Sequence, residues 1–113
     1  MVDEQTTILE LNSENFEDAV KNNSALAVDF WAPWCPSCLK MLPAFDYLAA
    51  THKGRVTFAK INIDESRDLV IKYAVYAIPT MLLFRDGKLI GRKIGEMSRM
   101  DLMNELERSL DRV

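Results

Sequence analysis

The chain has a single histidine, His52, and two cysteines among 113 residues. Structural zinc takes four ligands and catalytic zinc three. Beyond Cys35 and Cys38 only His52 is on offer, so no metal site is expected. Two cysteines are also too few for a disulfide framework, and a chain of this length buries a core without one. Long apolar runs are missing: none approaches the roughly 20 residues that span a bilayer. Charge of one sign is missing as well. Fourteen basic and 17 acidic residues are interspersed and leave a net charge of −3, which supports neither a nucleic-acid nor an anionic-membrane partner. No repeat, linker or low-complexity stretch breaks the sequence, and at 49% hydrophobic and 27% charged it reads as one globular domain over residues 1–113. Met1 to Gln5 is acidic and polar, without the basic and apolar regions of a secretory signal. A reducing, cytoplasmic setting is expected, where a disulfide-capable pair is usually catalytic.

That pair is the most informative feature present. Cys35 and Cys38 lie three apart in Trp34-Cys35-Pro36-Ser37-Cys38, directly after the apolar run Leu26 to Trp31. Residues i and i+3 on one helical turn have Cβ atoms about 5–6 Å apart, close to what a disulfide needs. The pair can open and close without refolding the protein. As a staple it is weak: a loop of about four residues gives roughly 2 kcal/mol, against nearly 5 for a 100-residue loop. Reversible thiol–disulfide chemistry is the default for a CxxC beside a βαβ pattern.

The pattern around it is alternating. Ile8 to Leu11 reads as a short strand, and Asn12 or Ser13 as the cap of a helix whose inward residues are Phe16, Ala19 and Val20. Leu26 to Trp31 is a buried strand. A helix from about Cys35 to His52 carries Leu42, Phe45 and Ala49 on one face, with Pro43 as a kink. Val56 to Ile63 is a further strand, and Leu69, Val70 and Tyr73 mark a short helix. Thr80 to Phe84 and Lys88 to Ile94 flank Asp86-Gly87, a two-residue hairpin signal. Ser98 with Asp101 resembles a capping box opening a last helix with the stripe Leu102, Met103, Leu106 and Leu110. The order is βαβαβαββα, an α/β class with a parallel core and an antiparallel edge. His52 reads as a solvated cap, Trp31 as core, and Met97, Met100 and Met103 as core or surface filler at helical spacing.

Two charges interrupt apolar strands. Asp29 lies within Leu26 to Trp31, and Lys60 interrupts Phe58-Ala59-Lys60-Ile61. Burial raises a carboxylic acid's pKa and a nearby lysine lowers it; the alternative is that each charge snorkels to a strand end. Asp29, short and six residues before Cys35, favours a functional role.

Asp29 to Cys38, Lys60-Ile61-Asn62-Ile63-Asp64, Ala77-Ile78-Pro79-Thr80 and Asp86-Gly87 together resemble the thioredoxin family, in order and along essentially the whole chain. The resemblance implies a thioredoxin fold, a central mixed sheet with helices on both faces, and protein-disulfide reduction without a cofactor beyond the Cys35–Cys38 disulfide. Cys35, at a helix N-terminus, is the thiol whose ionised form attacks a partner disulfide, and Cys38 resolves the mixed disulfide. A pKa of about 7 is the value already known for thioredoxins. Moving from about 8.5 to about 7 raises the thiolate fraction at pH 7 roughly 16-fold and lowers nucleophilicity about 5-fold, a net gain near 3-fold. Docking and orientation must supply the rest. Asp29 is the best general base for Cys38, directly or through a water, with Lys60 modulating it. Pro79 matches the family's cis-proline, Ile78 offers backbone hydrogen bonds to an extended substrate, and Trp34, Ala77, Ile78 and Gly95 form the rim. The implied partners are protein disulfides and a separate reductase, and the implied state is a monomer.

Pro36-Ser37 departs from the family's usual Gly-Pro. Proline is tolerated at the first helical position; Ser37 has no base beside it and is not a serine nucleophile. Its N–H is expected to steady the Cys35 thiolate and make the couple more oxidising, on a scale where 30 mV is about 1.4 kcal/mol. Leu39 stands where a basic residue is common, and Glu96 where a small one is, both bearing on partner choice. A disulfide oxidase or isomerase, and a binding module without turnover, remain open beside the reductase.

Overall fold

The computed structural model describes residues 8–111. Its elements are β1 (Ile8–Leu11), α1 (Phe16–Asn22), β2 (Ala25–Trp31), α2 (Pro36–Thr51), β3 (Thr57–Asn62), α3 (Arg67–Lys72), β4 (Thr80–Arg85), β5 (Lys88–Ile94) and α4 (Arg99–Asp111). The strands form one sheet in the order β1-β3-β2-β4-β5. β1, β3 and β2 are parallel, whereas β4 runs antiparallel to β2 and pairs with β5 as a hairpin.

β2 lies at the centre, and its alternation divides the core. Leu26, Val28 and Phe30 pack with Phe16 and Ala19 of α1 and Leu69 of α3. Ala25 and Ala27 point the other way, toward Met41, Phe45 and Leu48 of α2 and Leu102 and Leu106 of α4. A strand buried on both faces needs a continuous apolar run, and Asp29 is its one exception. Asp86 and Gly87 both have positive φ, +50° and +84°, the backbone of a hairpin turn whose twist matches its strands. Ser98 Oγ accepts from the Asp101 N–H at 3.1 Å and caps α4 as its sequence indicates.

Three expectations need correction. Neither Asn12 nor Ser13 is the N-cap of α1, which is Asn15: Asn12 Oδ1 accepts from the N–H groups of Glu14 and Asn15 in the turn before the helix, while Ser13 donates to the Asp68 carboxylate. Helix α1 therefore begins one turn later, at Phe16. On α2 the buried stripe runs through Cys38, Met41, Phe45, Leu48 and Ala49, and Leu42 is only half-buried. His52 is buried, not solvated, at 6% exposure. Its Nδ1 lies 3.0 Å from the Leu48 carbonyl oxygen, its Nε2 is 3.9 Å from a Glu107 carboxylate oxygen, and its ring faces Phe58. The methionines divide between core and surface as expected: Met97 is buried, Met103 half-buried and Met100 exposed.

Candidate active site

Sheet register assembles the site. Phe30 pairs with Thr80, and Thr80 with Ile94. The carboxyl end of β2, the entry to β4 and the exit of β5 therefore meet at one edge of the sheet, where open α/β sheets place their sites. The chain leaving β2 carries Trp34 and Cys35, the segment before β4 carries Ala77, Ile78 and Pro79, and the residue after β5 is Gly95.

Cys35 is the N-cap of α2, with extended backbone at φ −99° and ψ 109°. Its carbonyl accepts the first helical bond from the Leu39 N–H at 3.1 Å, and its sulfur accepts from the Cys38 N–H at 3.2 Å. Pro36 occupies the first helical position, where its lack of an N–H costs nothing. Cys35 and Cys38 are bridged, with Cα atoms 5.2 Å apart. Both are buried, Cys35 at 5% and Cys38 at 0% exposure, so the first keeps an outer edge and the second does not. The sulfur of Cys35 also lies 3.5 Å from the Ser37 hydroxyl and 3.9 Å from the Ile78 carbonyl oxygen. The recorded donor differs from the expected one: the N–H on Cys35 belongs to Cys38, and Ser37 contributes its side chain.

The Ile78–Pro79 peptide bond is cis. The Gly95 N–H donates to the Pro79 carbonyl at 2.8 Å, and Gly95 takes φ +101°, which a side chain would resist. Thr80 Oγ1 donates to the Ala77 carbonyl at 2.6 Å and tightens the same bend. Trp34 is 62% exposed beside the cysteines. Its indole N–H donates to Asp64 Oδ2 at 2.7 Å, which fixes a large ring at the surface. Asp64 was legible only as part of the Lys60 to Asp64 motif, because nothing at 30 residues' separation marks it as a partner of Trp34.

Asp29 is fully buried, and neither carboxylate oxygen has a hydrogen-bond partner among the described residues. Burial pushes its pKa up to about 8, with the Lys60 ammonium pulling the other way. Lys60 is its register partner on β3 and is half-buried. Trp31 is half-buried too, with the Lys60 ammonium 4.7 Å from its ring centroid. The sequence-derived residues thus fall into two groups: Trp34, Cys35, Pro36, Ser37, Cys38, Ala77, Ile78, Pro79 and Gly95 at the disulfide end of the sheet, and Asp29 with Lys60 in the sheet behind. Among the described residues no cluster of three or more His, Cys, Asp or Glu side chains could hold a metal.

A disulfide closing so short a loop, capped by a backbone donor at a helix start, is built to be opened and remade; fold and site define a thiol–disulfide oxidoreductase. The Thioredoxin family model matches residues 7–108. The chain is 36% identical to a thioredoxin of Pseudomonas aeruginosa over 104 residues, covering 91% of this chain and 96% of that protein. It is 42% identical to a thioredoxin of Rhodospirillum rubrum over 94 residues, 83% of this chain and 90% of that one. The crystal structure of oxidised mitochondrial thioredoxin 3 from Saccharomyces cerevisiae superposes with a TM-score of 0.83 at 34% identity, covering 94% of this chain and 99% of that one. The chain belongs to the thioredoxin family, and its activity is thioredoxin-type protein-disulfide reduction by thiol–disulfide exchange.

Proposed function

We propose that Cys35 is the attacking thiol and Cys38 the resolving one. The Cys35 thiolate attacks one sulfur of a partner disulfide; a Cys35–partner bond forms and the other partner sulfur leaves as a thiolate. Cys38 then attacks the Cys35 sulfur, closing the internal disulfide and releasing the second partner thiol. Two electrons pass from this dithiol to the partner. The observation that carries this reading is the Cys38 N–H directed at the Cys35 sulfur at a helix start, where donor and dipole favour the charged form. Lowered thiol pKa values are established for thioredoxins, so the direction is general to the family.

Cys38 must lose its proton before it attacks. Asp29 takes that proton, directly or through a water, because an acid displaced to about 8 exchanges protons near neutrality. Lys60 tunes it. Trp34, Ala77, Ile78, Pro79 and Gly95 receive an extended partner segment, with the Ile78 backbone as hydrogen-bonding edge. Residues 1–113 work as one monomeric domain in the cytoplasm, need no cofactor beyond the disulfide, and are returned to the dithiol by a separate reductase. The closeness of the Ser37 hydroxyl to Cys35 favours a second reading, a couple poised toward oxidation or isomerisation.

Insulin reduction with dithiothreitol tests the leading reading. Cys35→Ser abolishes turnover, and Cys38→Ser accumulates a mixed disulfide on Cys35. Turnover surviving in Cys35→Ser, or a mixed disulfide forming on Cys38 instead, overturns it.

A further inference from the structure

Strand order sets three charged residues in one row. Glu10 on β1 pairs with Lys60 on β3, and Lys60 pairs with Asp29 on β2. Two residues earlier on the same strands, Ile8, Phe58 and Ala27 all belong to the core under α2 and α4. Side chains alternate along a strand, so the three charges share that face. Lys60 stands between two carboxylates, and its ammonium is engaged on the outer side. Its Nζ lies 4.0 Å from Glu10 Oε2 and 4.7 Å from the Trp31 ring centroid, while the Asp29 oxygens have no hydrogen-bond partner among the described residues. A cleft of about 120 Å³ opens beside the outer pair, with Asn62 and Glu65 on its wall.

We propose that Glu10 is a positioning residue that holds the Lys60 ammonium toward the sheet edge, away from Asp29, and so sets how strongly the lysine acts on the buried acid. The other surroundings of Asp29 offer little competition. Its β4 partner is the uncharged Met81, beyond which Lys93 of β5 is exposed. The buried face of α2 brings Cys38 and Met41. Among the described residues, Glu65 is the one further carboxylate in the cleft around Lys60. Burial pushes Asp29 to about 8 against the pull of Lys60; an ammonium free to swing inward pulls harder and makes Asp29 a stronger acid. Glu10 thereby keeps the acid in the range where it exchanges protons near neutrality, a consequence that rests on the role proposed for Asp29 in the resolving step.

The test follows the Asp29 carboxyl carbon by NMR against pH in the full-length protein, Glu10→Gln, Lys60→Met and the double variant. Glu10→Gln lowers the Asp29 midpoint by about half a pH unit, the scale on which coupling at an effective dielectric near 20 changes when a unit charge moves a couple of ångströms. In the Lys60→Met background the same substitution moves it by less than half as much. An unmoved midpoint in Glu10→Gln, or an equal shift in both backgrounds, overturns the proposal, the latter because Glu10 then acts by its own charge. The rate of mixed-disulfide resolution against pH is read alongside. A midpoint that moves while that profile stays put supports the positioning by Glu10 and counts against Asp29 as the base.

Discussion

Replacing Asp29 by asparagine should stabilise the protein, and by an amount that depends steeply on pH. The acid is fully buried with both oxygens unpartnered, and burial moves its pKa from 3.8 to about 8 against the pull of Lys60. A folded-state pKa above the unfolded one means that the folded protein holds the proton more tightly. The favourable linkage is complete below pH 3.8 and is lost progressively as pH rises toward 8. At about 1.36 kcal/mol per pH unit, the cost of Asp29 is roughly 2 kcal/mol at pH 5, about 4 at pH 7 and about 6 above pH 8. Asparagine keeps the shape and never ionises, so it escapes that cost while leaving a comparable unpartnered polar group. Urea unfolding of the oxidised protein, with the disulfide kept closed, measures the difference. With a urea slope of about 1–3 kcal/mol/M, the midpoint at pH 7 rises by more than about 1 M. A gain that is the same at pH 5 and pH 9, or no gain at all, refutes the account of Asp29 as a buried acid.

The Ser37 hydroxyl, 3.5 Å from the Cys35 sulfur, predicts an effect on redox equilibrium. Ser37→Ala destabilises the thiolate form, so the variant is easier to oxidise in glutathione buffers, by up to about tenfold or 30 mV; Ser37→Pro, which removes the same hydroxyl, shifts it the same way, and a shift the other way contradicts this. Asp64→Ala frees the Trp34 ring from its 2.7 Å anchor. The loss of one hydrogen bond worth about 0.5–1.5 kcal/mol raises KM for protein disulfides about 2- to 10-fold with kcat held; an unchanged KM removes Trp34's fixed orientation from the docking argument.

Much of this was legible in residue order. Leu26 to Trp31, apolar on both faces, could only be a central strand, and Asp86-Gly87 could turn tightly because both positions accept positive φ. The Cys35–Cys38 spacing announced the chemistry, and Asp29 announced itself by breaking an apolar run. What the sequence hid depends on elements far apart in the chain. His52 looked like a solvated helix end because the α4 residue that approaches it, Glu107, is 55 positions away. Ser13 looked like a cap, but its hydroxyl donates to Asp68, 55 positions away. The cis bond before Pro79 came from family resemblance alone, since an X–Pro bond in a folded protein is cis only about 5–6% of the time. Glu10 gave no signal at all: its meeting with Lys60 requires β3 to sit between β1 and β2, which alternation of strands and helices leaves undetermined.

The central claim is that Cys35 is the ionised, outward thiol and Cys38 the shielded one behind it. Alkylation of the reduced protein with iodoacetamide across pH, with each modified cysteine located by mass spectrometry, tests it directly. The account predicts that Cys35 reacts first, with a midpoint well below the ordinary thiol value of about 8.5, while Cys38 is spared. Labelling that favours Cys38, or a Cys35 midpoint at or above that ordinary value, contradicts it.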